Sequence, residues 1–302
     1  MSKILRVMTK DGSARIFVIN STDIVNKAMK YHECAPTAAA ALGRTLTAAS
    51  LMGSTLKNKG DSLSVNFRGD GPCGHILAIS DYMGNVKGYI QNPHTDIDRK
   101  PNGKLDVGGA VGKGTLVVIK DMGEKEPYNG IVPITTGEIA EDITAYYAES
   151  EQTPSLCALG VLVNPDMTCK AAGGVMVQLL PFADPDTVDL IEKNAQAIAS
   201  VSKLIAAGMS NEDIAKMALN GIEFDIFDEY FVDYFCDCSR ERMGRGLLTL
   251  NPYELWNMLV EDKQIETCCQ FCKRKYVFVG SDIEKLREKI KKEKEQTPKS
   301  EE

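Results

Sequence analysis

Five of the nine cysteines crowd into two short stretches: Cys236 and Cys238 in FCDCSRER, and Cys268, Cys269 and Cys272 in ETCCQFCKRKY. Thiols so spaced can form a disulfide staple, a metal site or a redox centre. The compartment bears on that choice. MSKILRVMTKDGSARIF has charged and turn residues within its first dozen positions and lacks the apolar core of a signal peptide. The apolar run over 35–56 carries Arg44 and repeated Thr and Ser, which suits a buried Ala-rich helix better than a membrane span. A cytoplasmic protein is expected, and there glutathione and thioredoxin keep thiols reduced. Metal binding or redox chemistry therefore moves ahead of a disulfide framework.

Cys236-Asp-Cys238 and Cys269-Gln-Phe-Cys272 offer two closely spaced pairs, a pattern suited to one tetrahedral Zn²⁺ with Zn–S distances of about 2.3 Å. A module of about fifty residues has little core of its own, and zinc binding contributes about 10–16 kcal/mol in small zinc peptides, so losing the metal should unfold it. The ion would also hold the sulfurs as thiolates, the nucleophilic form, so an oxidant that reaches them can form disulfides and expel it. Arg240, Arg242, Lys273, Arg274 and Lys275 flank the pairs. They either offset the negative charge of a four-thiolate centre or are plain solvated charges.

The elements that must position these residues fall into three stretches. ILRVM and ARIFVI around Asp11-Gly12 read as a β-hairpin, followed by a helix with Thr22 as N-cap and an Ala-rich helix with Pro36 in its first turn. SLSVNFR, HILAIS and VKGYI form a β-meander over 62–90, TLVVIKD is a strand, 137–151 has helical spacing, and LCALGVLV and TCKAAGGVMVQLL flank the turn NPDM. Strands and helices mix without regular β-then-α alternation, which predicts an α+β fold: a mixed N-terminal domain of β-sheets and packed helices over 1–181. Over 182–233 follows a helical linker of short helices with narrow apolar faces, one capped by Ser210 and Asp213, none stable alone and all needing a docking surface. Residues 234–302 form a small zinc-binding domain with helices over SRERMGRGLL and NPYELWNML, the latter capped by Asn251 with Pro252 at its first position. It continues with strands KQIET and YVFV, a helix capped by Ser281 and Glu284, and a disordered tail KKEKEQTPKSEE.

Two glycine motifs fail on context. GDGPCG over 69–74 matches a dinucleotide-binding loop in letters, but strands flank it where a helix is required, so it reads as a hairpin turn. GGAVGKGT over 108–115 lacks the first Gly and the Mg²⁺-binding Ser or Thr of a phosphate loop. His32, His75 and His94 lie in no metal or catalytic spacing, and Cys34, Cys73, Cys157 and Cys169 read as small buried hydrophobes. No nucleophile with a nearby base stands out, so no catalytic residue is assigned and the chain is expected not to be an enzyme.

FRGDGP (67–72), GKLDVGGAVG (103–112), KDMGEKEPYNGIVPI (120–134), GEIAEDITAYYAESEQTPS (137–155), AAGGVMVQLLP (171–181), CDCSRER (236–242) and CQFC (269–272) together make the chain resemble the heat-shock protein 33 family of redox-regulated, ATP-independent holdase chaperones. The resemblance covers nearly the full length. It implies one Zn²⁺ per reduced chain on Cys236, Cys238, Cys269 and Cys272, with the C-terminal module supporting the linker. It further implies that oxidative stress forms disulfides Cys236–Cys238 and Cys269–Cys272, releases zinc, frees the linker and yields active homodimers that bind unfolded or partially folded client proteins. Cys268 departs from that pattern, because a C-x-x-x-C pairing with Cys272 competes with the C-x-x-C of Cys269. Cys269 is kept as the ligand, and Cys268 is left as an accessory thiol without a role.

Two other classes compete. A thiol-disulfide oxidoreductase would need one exposed C-x-x-C near a thioredoxin-like βαβ unit. A zinc-ribbon nucleic-acid binder starts badly, because a net charge of −7 with no basic stripe opposes phosphate binding. Neither nucleic-acid nor membrane partners are expected.

Overall fold

The structure, a computed structural model, describes residues 1–296, with side chains through residue 288. It divides into two compact units, Met1–Phe235 and the chain from Cys236 onward.

The first unit opens with β1 (Ser2–Thr9) and β2 (Ala14–Asn20), joined through Asp11 and Gly12 as the turn residues predict. Next come α1 (Thr22–His32) and α2 (Pro36–Gly53), and the meander β3 (Ser62–Gly69), β4 (His75–Asp81) and β5 (Val86–Ile90). Then follow α3 (Val107–Val111), β6 (Gly114–Asp121), β7 (Tyr128–Pro133), α4 (Ala140–Glu149), β8 (Ser155–Val163) and β9 (Cys169–Leu179). The stretch expected as a linker holds α5 (Pro185–Ile198), α6 (Val201–Ala206), α7 (Asn211–Ala218) and a strand, β10 (Phe224–Val232).

Two antiparallel five-stranded sheets result, in the orders β10-β1-β2-β9-β8 and β5-β4-β3-β6-β7. The Ala-rich α2 is buried almost all round because it packs against strands of both sheets; small side chains allow that close approach. The fold is thus α+β, as the mixed element order predicts.

The helices α5–α7 have the docking surface their narrow apolar faces require. Ile191, Ile198, Val201, Ile205 and Ile214 share one buried cluster with Leu5, Val7, Ile16, Val18, Val175 and Val177 of the first sheet. The alternating aromatic and acidic residues over 224–232 are β10, which extends that sheet by pairing antiparallel with β1. The residues expected as a linker therefore lie inside the first compact unit.

Thr22 is not the N-cap of α1. Ser21 holds that position, and the Thr22 hydroxyl instead donates to Asn20 Oδ1 at 2.8 Å and accepts from the Ala172 N–H at 3.0 Å, tying the helix start to β9. His32 is buried in the core, its Nε2 3.0 Å from the Gly88 carbonyl oxygen.

The two glycine motifs pack against each other. Gly71 N–H donates to Val111 O at 3.0 Å, Cys73 N–H to Ala110 O at 3.0 Å, and Lys113 N–H to Asp70 Oδ1 at 2.7 Å. A Cβ on Gly71 would lie 2.4 Å from Ala110 O, so glycine is required for backbone contact between loops rather than for a phosphate.

In the second unit stand α8 (Arg240–Leu247), α9 (Pro252–Asp262), the hairpin β11 (Gln264–Cys268) and β12 (Lys275–Val279), and α10 (Gly280–Gln296). Asn251 caps α9 as expected, accepting from Tyr253 N–H at 2.9 Å. The last helix starts at Gly280, one residue before the expected cap Ser281, and Asp282 Oδ2 accepts from Val279 N–H at 3.0 Å. That helix runs on through Gln296 into KKEKEQTPKSEE, where no structure was expected, and the remainder of that tail lies outside the described residues.

Candidate metal centre

Cys236 and Cys238 lie in the irregular stretch before α8, whose N-cap Ser239 accepts from Arg242 N–H at 3.1 Å. The other pair sits in the turn of the β11–β12 hairpin. Cys269 N–H donates to Arg274 O and Lys273 N–H to Cys269 O, both at 2.9 Å, and Lys273 takes a left-handed φ of 56° to close the turn. Beneath it lies a small core of Leu247, Leu255, Ile265, Phe278 and Ile283. Gly244 of α8 faces Leu286 of α10 and the Phe278 ring, where a Cβ would lie 2.4 Å from Leu286 Cδ1 and 3.2 Å from the ring.

The hairpin turn and the preceding loop bring the sulfurs of Cys236, Cys238, Cys269 and Cys272 within 4.8 Å of one another. Cys236 Sγ is 3.7 Å from Cys269 Sγ, and Cys238 Sγ is 3.4 Å from Cys272 Sγ. A tetrahedron with Zn–S bonds of about 2.3 Å has edges of about 3.8 Å, so the donor set fits such an ion. Cys269 is buried and the other three are half-buried. Cys268 is exposed at the end of β11, with its Sγ 3.8 Å from Cys269 O and outside the sulfur group. Strand alternation explains the choice, since neighbouring residues point to opposite sides and only one of Cys268 and Cys269 can face inward.

The four thiols are unequal. Burial pushes the Cys236 and Cys272 thiols up. Burial also opposes ionisation of Cys238, but hydrogen bonds from Tyr276 and the neighbouring thiols outweigh it and hold Cys238 below the ordinary thiol range. The flanking cations divide. Arg240 pairs with Asp282 at 2.8 Å and lies over the Phe278 ring, Arg242 pairs with Asp237 at 2.6 Å, and Lys275 pairs with Glu266 at 2.9 Å. Arg274 is the cation whose own pKa is raised by Tyr276, Cys238 and Cys272, so it carries positive charge toward the sulfurs.

The remaining cysteines belong to the first unit. Cys34, Cys73 and Cys169 are buried and Cys157 is half-buried. Burial pushes the Cys73 thiol up to about 11, and Cys157 and Cys169 up to about 12. They are small packed hydrophobes with inert thiols, as their scattered positions predict.

Sequence reasoning missed Tyr276. Its hydroxyl lies 3.1 Å from Cys238 Sγ and donates to Cys238 O at 3.1 Å. No spacing rule names a residue that reaches the site from the next strand, although alternation along β12 places it on the side of Phe278 and the small core.

Together these features define a class: an α+β body followed by a small hairpin module built around a candidate metal–thiolate site. Residues 2–279 match the Hsp33 protein family, and the chain belongs to that family. It is 46% identical over 294 residues to the 33 kDa chaperonin of Clostridium acetobutylicum, covering 97% of this chain and 99% of that one. It is 44% identical over 281 residues to the 33 kDa chaperonin of Clostridioides difficile, covering 93% and 96%. The crystal structure of the 33 kDa chaperonin (heat shock protein 33 homolog) from Thermotoga maritima superposes with a TM-score of 0.88 at 34% identity, covering 96% of this chain and 99% of that one.

Proposed function

We propose that the protein is a redox-regulated, ATP-independent holdase chaperone of the cytoplasm, inactive when reduced and metal-bound and activated by oxidation. The observation that carries this reading is the group of four sulfurs at tetrahedral spacing over a very small core, in a chain whose relatives are named chaperonins. Cys236, Cys238, Cys269 and Cys272 would hold one Zn²⁺, which keeps their sulfurs deprotonated and ties the loop before α8 to the hairpin turn.

Activation then uses the chain's own thiolates and a peroxide. One thiolate of a pair attacks a peroxide oxygen, the O–O bond breaks and hydroxide leaves, giving a sulfenic acid. The second thiolate attacks that sulfur, the S–O bond breaks, hydroxide leaves again and the disulfide closes, so each pair passes two electrons to one peroxide. The family resemblance favours closure of Cys236 with Cys238 and of Cys269 with Cys272.

Functionally, 1–181 acts as the chaperone body, 182–233 as the redox-sensitive linker and 234–302 as the switch. Release of α5–α7 would bare Leu5, Val7, Ile16, Val18, Val175 and Val177, an apolar face suited to unfolding clients and to dimer formation. The linker's share of the fold rests on short helices that tertiary contacts alone stabilise.

The test measures metal release, free thiols and suppression of client aggregation on one sample, before and after peroxide at elevated temperature. Loss of metal and four thiols together with gain of suppression is expected. Equal suppression in both states would overturn the reading.

A further inference from the structure

Tyr276 stands in contact with one of the four sulfurs through a group that can only donate a single hydrogen bond. Its hydroxyl is 3.1 Å from Cys238 Sγ and 3.1 Å from Cys238 O. In the metal–thiolate site proposed above the Cys238 sulfur would carry no proton, so the single phenol proton faces two acceptors, that sulfur and the carbonyl oxygen. A thiolate is the stronger of the two, because hydrogen bonds to ionised acceptors are the stronger ones.

Resting on the metal–thiolate reading above, we propose that Tyr276 is a positioning residue for Cys238, its hydroxyl donating to the thiolate and restraining both its loss from the metal and its attack on peroxide. A donor at the sulfur withdraws electron density and lowers nucleophilicity, and outer-shell donors of this kind orient and tune metal ligands generally. Tyr276 is the residue able to do this for a structural reason. The β11–β12 ladder places Thr267 opposite it, and its ring packs against the small buried cluster that includes Phe278, so the hydroxyl is delivered to Cys238 by a fixed ring rather than a flexible side chain. Cys238 gains one donor in this way. The bond itself adds no net charge; the positive charge comes from Arg274, which also hydrogen-bonds the Tyr276 side chain and so polarises its hydroxyl toward the sulfur.

Tyr276→Phe keeps the ring and removes the hydroxyl, and Tyr253→Phe, which removes an exposed hydroxyl elsewhere in the same unit, is the control. In the full chain, affinity for Zn²⁺ measured by chelator competition should fall about ten- to hundredfold in Tyr276→Phe and stay unchanged in the control, the range seen when outer-shell partners are removed. Peroxide-driven release and sulfenic-acid trapping at Cys238 should both quicken. With Co²⁺ as probe, the thiolate-to-metal charge-transfer band should move to lower energy, because a sulfur without its donor gives up charge more readily. Replacing Tyr276 by 3-fluorotyrosine, whose more acidic phenol is a better donor at pH 7, should slow release below the native rate. This variant decides the matter if Tyr276→Phe loads no metal. Opposite displacements by the two variants support the assignment, since a purely structural role moves both the same way. Native loading with both variants matching the wild type overturns Tyr276 alone. A wild-type chain in which the four cysteines bind neither Zn²⁺ nor Co²⁺ overturns the metal–thiolate reading and this assignment with it.

Discussion

Asp11, in the turn of the first hairpin, accepts a 2.8 Å hydrogen bond from the Thr187 hydroxyl in the first turn of α5. The contact is reinforced alongside, because the Ser13 hydroxyl accepts from Asp184 N–H at 2.9 Å and donates to Asp11 Oδ2 at 2.7 Å. Two residues of a tight turn thus hold the beginning of the helical segment onto the sheet whose face it covers. Asp11→Ala should weaken that attachment by about 1 kcal/mol after solvent screening, and hydrogen exchange over 184–198 should quicken while the β8–β9 amides stay protected. Hydrogen bonds from Thr9 and Ser13, with a further one from Thr187, hold the Asp11 carboxyl well below the usual carboxylate range. A depressed folded value means the contribution is complete above the unfolded value of about 3.9 and is lost as pH falls through the folded one, so acid exchange measurements should show α5 loosening in the wild type and no such pH step in Asp11→Ala.

The thiols should sort into three classes by alkylation at pH 7 followed by peptide mass mapping. Cys268, exposed and outside the sulfur group, should be modified in the zinc-loaded protein. Cys236, Cys238, Cys269 and Cys272 should become reactive after chelation, whereas Cys73, Cys157 and Cys169, with thiols raised by burial to about 11 or 12, should resist until the first unit unfolds. Cys268→Ser should still bind one metal equivalent. Loss of stoichiometry in that variant would exchange Cys268 for Cys269 in the ligand set.

What sequence conveyed and what it withheld divide along the range of the interactions. The Asp11-Gly12 hairpin, the 62–90 meander, the Pro36 helix and the Asn251 cap depend on neighbours a few residues away, and each is found where its residues place it. The two cysteine pairs were legible for the same reason, because C-x-C and C-x-x-C each describe one loop. Thr22 was misplaced because its hydroxyl answers to Ala172, 150 positions away, rather than to its own helix. β10 went unassigned because its aromatic residues are partly exposed and its pairing partner β1 lies at the opposite end of the chain. Tyr276 was invisible because its reach to Cys238 exists only once the hairpin is folded.

Ion pairs fasten β10 and the residues that flank it to the rest of the first unit: Lys3 to Glu229 at 2.7 Å and Arg6 to Asp228 on the strand, Lys10 to Glu223 at 3.0 Å and Lys27 to Asp233 at its two ends. The Arg6 guanidinium grips both carboxylate oxygens of Asp228 and holds that carboxyl below the usual range. Both partners remain more than a third exposed, so Asp228→Asn should cost about 0.5–1 kcal/mol rather than the larger value of a buried pair. At about 1 M salt, where screening acts over about 3 Å, exchange of the β10 amides should quicken in the wild type and respond less in Asp228→Asn. Because the Asp228 pKa is depressed, its contribution should fade as pH falls from the unfolded value through the folded one, and Asp228→Asn should flatten that dependence.

Metal removal should unfold the second unit while the core strands of the first stay folded. The second unit's buried apolar cluster consists of Leu247, Leu255, Ile265, Phe278 and Ile283, whereas the first unit has two extensive clusters of its own. A chelator at pH 7 should therefore abolish protection of the β11–β12 and α8 amides, leaving β2, β3 and β9 protected, and a domain this small has no other source of comparable stability. Peroxide should give the same loss, and the disulfide map distinguishes two routes to it. Sulfurs across the pairs, Cys236 with Cys269 and Cys238 with Cys272, already stand at 3.7 Å and 3.4 Å. Closure across the pairs would keep the loop before α8 linked to the hairpin turn, whereas closure within each pair severs that link and lets the unit unfold. Peptide mapping after brief oxidation should find Cys236–Cys238 and Cys269–Cys272 with loss of β11–β12 protection. A predominance of Cys236–Cys269 and Cys238–Cys272 with protection retained would show that oxidation staples the module instead of releasing it.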